Sequence, residues 1–177
     1  MVALSKSPGR ARERLKNAQS ISTSIIEQLQ KSIYELRPLL LDDLGLLSAI
    51  NWLIDNNLKT AGIKVIFKKR GRAKRLDRQI EITIFRVVQE ALNNIVRHAS
   101  AEHVEITLHF REKNMAVTII DDGSGFDIEE ASSLKDGLRG FGLLGMKERI
   151  EIAGGVFELK SQKNIGTVIY IEIPLNP

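Results

Sequence analysis

Two pairs of strand-like segments, each joined by a short turn, constrain this chain most. "HVEITLHF" over 103–110 and "MAVTIID" over 115–121 read as strands, and Arg111 to Asn114 join them. "GVFELKSQ" and "GTVIYIEIP" form a second pair near the C-terminus. A period of two broken by a short turn is a hairpin signal. Helical periodicity surrounds these pairs. "IKVIFKK" adds a strand ahead of them, a basic loop leads to Asp77, which is placed to cap a helix running to about His98, and another helix ends at Ala153. Strands in series interrupted by helices predict an α+β fold, a two-layer α/β sandwich whose mixed sheet is covered on one face by helices.

Ahead of that block, Leu15, Ala18, Ser22, Ile25, Leu29, Ser32 and Leu36 fall three and four apart, with Ile26 and Ile33 widening the stripe. The spacing predicts one long helix from Arg12 to about Leu36, ending before Pro38 because the residue preceding proline is pushed out of the α region. Such a stripe needs a partner, either the chain's own domain or a second copy. A second helix is expected from about Leu46 to Leu58, with Gly62 as its stop. At 177 residues and 43% hydrophobic, the chain suits one well-packed domain plus an appendage. With no cysteine, a disulfide framework, thiolate metal site or Cys-His catalysis is excluded. No apolar run approaches the roughly 18–20 residues that span a bilayer, and no signal-peptide pattern opens the sequence, so a soluble, cytoplasmic protein is expected. The net charge is +4, and Lys64, Lys68, Lys69, Arg70, Arg72, Lys74, Arg75 and Arg78 crowd one stretch. Stacking residues are not interleaved there apart from Phe67, so a solvated strand end and loop is the simplest reading and no nucleic-acid partner is expected. Acidic partner surfaces or phosphates are the alternatives.

"QEALNNIVRHAS" carries the chemistry. On a helical wheel Ile84, Val88, Ala91, Leu92, Ile95 and Ala99 form a buried stripe, while Glu90, Asn94 and His98 line up four apart on its flank. A carboxylate and an amide oxygen one turn apart suit a hard cation such as Mg²⁺, which takes few protein ligands when phosphates supply the rest. Ordinary helix surface is the competing reading, and His98 near a helix end more often serves as a local charge or hydrogen-bond partner. In "IIDDGSGFD", Asp121 emerges where a strand ends and Gly123 and Gly125 let the backbone turn. "GLRGFGLLGMKER" places Gly137, Gly140, Gly142 and Gly145 just before a helix, where free N–H groups attract phosphate. Gly166 and Thr167 open the last strand. No Walker A loop and no protein-kinase H-R-D or D-F-G occurs.

The order of these motifs is specific. E-x-x-x-N on a helix, D-x-G-x-G after a strand, G-x-G-L before a helix and G-T at a final strand resemble the ATP-binding fold shared by gyrase, Hsp90, MutL and histidine kinases. "FRVVQEALNNIVRHA", "DDGSGFD", "GFGLLGMKERIEIAGG" and "GTVIYIEIP" are similar to the catalytic domain of sensor histidine kinases of the nitrate-sensor and desaturation-sensor type. "ELRPLLLDDLGLLSAI" is similar to that family's junction between dimerisation helix and catalytic domain, and the likeness covers roughly Leu15 to Pro174. It implies a partial dimerisation region over 1–44, with a long dimerisation-type helix, and an ATP-binding catalytic domain over 45–177. It further implies that Asn94 binds Mg²⁺ bridging the ATP phosphates, that catalytic Glu90 polarises or orients the reacting group, and that Asn93, Arg97 and His98 border the phosphates. Asp121 would accept the adenine amino group, Gly123 and Gly125 would shape that pocket, and Gly140, Gly142 and Leu143 would form the phosphate-side lid. Thr167 would close the adenine side. Partners implied are a response regulator with a receiver domain and a second copy joined through the dimerisation helices. One departure is large. The family's phosphoacceptor lies in an H-D-x-x-x-Q pattern, whereas His98, His103 and His109 are followed by Ala99, Val104 and Phe110. The acceptor helix is therefore expected to lie outside this chain. An anti-sigma-factor-type serine kinase and a nucleotide-gated binding module without catalysis are the alternatives.

Overall fold

The computed structural model describes residue 41 and residues 44–128 and 139–175, and for 139–141 the backbone alone. The helix expected over 12–36, its dimer seam and Gly137 lie outside the described residues. The described part belongs to one compact unit that starts at Leu41.

Helix α1 covers 44–53 and continues as a π turn over Ile54–Lys59. Strand β1 (Lys64–Arg70) follows, then α2 (Arg78–Asn94) with a π turn over Ile95–Ala99, then the strands β2 (His103–Phe110) and β3 (Asn114–Asp121). Helix α3 (Arg139–Ile152), β4 (Val156–Gln162) and β5 (Gly166–Pro174) complete the chain. Asp77 caps α2 by accepting the Gln79 N–H at 2.8 Å. The elements expected within the described residues are present, with one correction: Gly140, Gly142 and Gly145 lie inside α3 rather than ahead of it.

The sheet order is β1-β2-β3-β5-β4, with β1 parallel to β2 and every other pair antiparallel. The last strand is inserted between β3 and β4, so those two run parallel and α3 is their crossover, as α2 is for β1 and β2. Alternation along the strands sends Val104, Ile106, Leu108, Met115, Val117, Ile119, Ile169, Ile171 and Ile173 into the core. Ile84, Phe85, Val87, Val88, Ala91 and Leu92 of α2 are buried with them. Fully burying each such side chain contributes about 1.5–3 kcal/mol. The buried surface of α2 is broader than a single stripe because α1 and α3 both touch it.

The opposite sheet face is polar. Lys68 Nζ meets Glu105 Oε1 at 2.8 Å, and Glu172 holds Arg111 Nη1 at 2.8 Å and the Tyr170 hydroxyl at 2.5 Å. The basic run begins on β1, an edge strand whose exposed Lys64, Lys68, Lys69 and Arg70 oppose pairing with a foreign sheet.

Candidate functional site

At one end of the sheet, β3 finishes with Asp121 directly opposite Thr167 at the start of β5. The π-turned end of α2 lies over this point. Between them opens a cavity of about 360 Å³. Helix α2 lines it with Ala91, Asn94, Ile95, His98 and Ala99, and the segment after β3 with Ser124, Gly125, Phe126 and Asp127. Asp121, Thr167 and Ile169 come from the sheet, Leu143 from α3 and Lys163 from the β4–β5 turn. The walls are largely apolar, with a few converging polar groups, which is the usual make-up of a small-molecule site.

Asp121 is 6% exposed and its Oδ1 accepts the Gly123 N–H at 2.9 Å. Burial pushes its carboxyl above the usual range, against the lowering effect of backbone N–H groups of Gly123 and Thr167. The neighbouring Asp122 behaves oppositely. Its Oδ1 accepts the N–H groups of His103 and Glu102, both at 2.9 Å, and its Oδ2 meets His103 Nδ1 at 2.8 Å. The His103 backbone donor in particular holds the Asp122 carboxyl below its ordinary value. Adjacent carboxylates thus divide two tasks, one presented to the cavity and one fastening the start of β2 to the end of β3.

The two cavity walls are tied together. Ser124 N donates to Ala99 O at 2.7 Å, and the Ser124 hydroxyl reaches His98 O at 3.4 Å, so the loop after β3 satisfies carbonyls at the end of α2. A Cβ on Gly123 would collide with Ala99 O and Ala99 Cβ, so this glycine serves close approach to the helix and does not itself line the cavity. A similar contact explains the glycine that α3 tolerates within its first turns. A Cβ on Gly142 would collide with Glu90 Oε1 and would stand 3.7 Å from Asn94 Nδ2, so α3 is seated on the polar flank of α2 at that point.

The structure therefore brings Asn94, His98, Asp121, Gly125, Leu143 and Thr167 to the cavity. Glu90 and Gly142 meet behind it. Asn93 turns to α1, where its Oδ1 accepts from Asn57 Nδ2 at 3.1 Å, and Arg97 is exposed; neither lines the cavity. The α2 backbone carries Asn93 to the flank facing α1, away from Asn94. Gly140 is on α3. Sequence reasoning missed Phe126, Asp127, Lys163, Asp122 and Ser161. For Ser161 the available signal was its place five residues ahead of Gly166 in the closing hairpin.

The family of histidine kinase-, DNA gyrase B- and HSP90-like ATPases matches residues 79–177. The signal transduction histidine-protein kinase/phosphatase DegS of Brevibacillus brevis is 36% identical over 165 residues, covering 93% of this chain and 42% of that protein. The oxygen sensor histidine kinase NreB of Staphylococcus carnosus is 36% identical over 160 residues, covering 90% of this chain and 45% of its own length. The chain thus spans less than half the length of these curated relatives. Among solved structures, the catalytic domain of histidine kinase ThkA aligns with a TM-score of 0.59 at 23% identity, over 75% of this chain and 92% of that one. A blue-light activated histidine kinase of Erythrobacter litoralis aligns with a TM-score of 0.61 at 18% identity, over 82% of this chain and 49% of that one. These likenesses establish the same fold. With the matched family covering α2 through β5 and the cavity set between them, this chain belongs to the histidine kinase-, DNA gyrase B- and HSP90-like ATPases.

Proposed function

We propose that the chain is the ATP-binding catalytic portion of a cytoplasmic sensor histidine kinase, directing the ATP γ-phosphoryl to a histidine on a dimerisation helix for relay to the receiver domain of a response regulator. On this reading 1–44 belongs to the dimerisation region of a homodimer and 45–177 to the catalytic domain. The observation that carries it is the buried Asp121 carboxylate at the floor of a cavity whose opposite wall is the α2 flank bearing Asn94 and His98. A carboxylate can accept from an adenine amino group while the polar flank of α2 faces the phosphates. No helix among the described residues is long and apolar enough to cross a membrane.

The residues fit Mg²⁺. Among the described residues no group of three or more His, Cys, Asp or Glu is gathered, so a hard cation here would rely on few protein ligands and on ligand phosphates, which is the habit of Mg²⁺. Asn94 would hold it by its amide oxygen, and when bound it neutralises charge developing on the phosphates. Glu90, beside Asn94 and roofed by Gly142, orients the reacting group. His98 borders the phosphates, Leu143 closes the phosphate side and Thr167 the adenine side. Phosphoryl transfer demands mainly positioning, which this set of fixed backbone and side-chain groups supplies.

Substituting Asn94→Ala tests the assignment. ATP affinity measured calorimetrically should fall at least about tenfold in Mg²⁺, one lost ligand to a charged group being worth roughly 1.5–3 kcal/mol, and should change little in EDTA. Equal losses in both buffers would remove Asn94 from the metal.

A further inference from the structure

Ser161 stands behind the cavity wall, on β4, and does not line it. Its Oγ nevertheless meets three groups at once: Phe126 N at 2.9 Å, Gly166 O at 3.2 Å and Thr167 Oγ1 at 3.0 Å. Two of those partners, Phe126 and Thr167, belong to residues that do line the cavity. The same turn is fixed to the loop a second time, because Asn164 N donates to Ser124 O at 2.6 Å.

A serine hydroxyl has one proton to give and two lone pairs to receive with. The Phe126 amide can only donate, so it occupies one lone pair. The Gly166 carbonyl can only accept, so it takes the Ser161 proton. All three contacts are then hydrogen bonds in a single arrangement: Thr167 donates its hydroxyl proton to the remaining lone pair of Ser161. The alternative, in which Ser161 donates to Thr167, leaves the Gly166 contact unmade.

We propose that Ser161 is a positioning residue that sets base selectivity: by taking the Thr167 hydroxyl proton it leaves Thr167 only lone pairs to present to the cavity, beside the Asp121 carboxylate. This rests on the reading that the cavity takes ATP. With both polar groups on the floor fixed as acceptors, the cavity favours a base that offers an amino group at its six-position edge. A base with a carbonyl there meets lone pairs on two sides, and no hydroxyl is left to rotate and rescue it.

The experiment compares ATP with inosine triphosphate, which has a carbonyl in place of the six-position amino group and a proton on N1, on the chain as it stands. Calorimetric affinities are measured for the wild type, Ser161→Ala, Ser161→Thr, Thr167→Val and the double variant Ser161→Ala with Thr167→Val. Ser161→Ala frees the Thr167 hydroxyl to turn and donate to a carbonyl, so the ATP preference should shrink by roughly tenfold, the worth of about one hydrogen bond. Ser161→Thr retains the hydroxyl and should restore the preference. Because Ser161 acts through Thr167, the double variant should show the same base preference as Thr167→Val alone. The readout is a ratio of two affinities on one sample, so a partly folded variant does not distort it. Parallel loss of both nucleotides in Ser161→Ala, with the ratio unchanged, would mean that Ser161 merely holds the loop and would overturn the inference alone. A wild-type chain that binds neither nucleotide would overturn the ATP reading and this inference together.

Discussion

Asp121 shows how a single residue ties stability to function. Its folded carboxyl titrates above its ordinary value because it is buried, so its favourable contribution to stability is present below the unfolded value and is lost as pH rises through the folded one. Asp121→Asn abolishes that titration. The melting temperature of the variant relative to wild type should therefore rise between about pH 4, near the unfolded value, and neutrality. The same substitution should cost roughly ten- to a hundredfold in ATP affinity at neutral pH, since a charged acceptor is lost and the amide can turn its own donors toward the adenine amino group. Scanning calorimetry across that range checks the first part, and a variant that loses relative stability with rising pH would contradict it. Asp121 was legible in the sequence because an acid at a strand end, followed within four residues by two glycines, is a local pattern. Asp122 was not, although it lies next door, because its role depends on the His103 and Glu102 backbone, reached only when β2 and β3 pair.

Between elements, the seat of α3 on α2 rests on one missing side chain. Alanine is favoured over glycine within a helix by about 1 kcal/mol, so Gly142→Ala should leave the melting temperature unchanged or slightly raised. Its Cβ, however, would displace the Glu90 carboxylate, the far end of a flexible side chain that can move at little cost. Phosphoryl transfer to a supplied acceptor-helix fragment should then fall by roughly a hundredfold, the lower end of what a positioned acid–base group contributes. An unaltered rate in a folded variant would detach Glu90 from the chemistry. Local periodicity made α2 and both hairpins readable, down to the cap at Asp77. It could not place Asn93 and Arg97, because a helical wheel reports flanks without saying which flank meets α1 and which meets the cavity. Nor could it find Ser161 and Phe126, 35 residues apart, whose hydrogen bond exists only across the folded end of the sheet.

Across the whole molecule, the three histidines occupy positions ill suited to receiving a phosphoryl group. His98 stands on the cavity wall itself, His103 is held by Asp122, and His109 lies on the same strand and is met by Arg111 Nε at 3.3 Å. None is carried on a separate helix that can swing in line with the γ-phosphate at about 3–3.5 Å. The chain incubated with Mg²⁺ and γ-labelled ATP should therefore acquire no acid-labile label, whereas an added acceptor-helix fragment should. Stoichiometric label mapped to His98, His103 or His109 would reverse this. The fold class was readable from the sequence, but strand order was not: nothing local tells β5 to leave the sheet edge and enter between β3 and β4. That insertion has a bearing on biosynthesis. β5 follows every other strand in the sequence and bridges the two halves of the sheet, so the facing edges of β3 and β4 stay unpaired until Gly166–Pro174 has been synthesised. Thr167 comes to lie opposite Asp121 only when β5 is in place, so a nascent chain that stops short of β5 lacks one wall of the cavity.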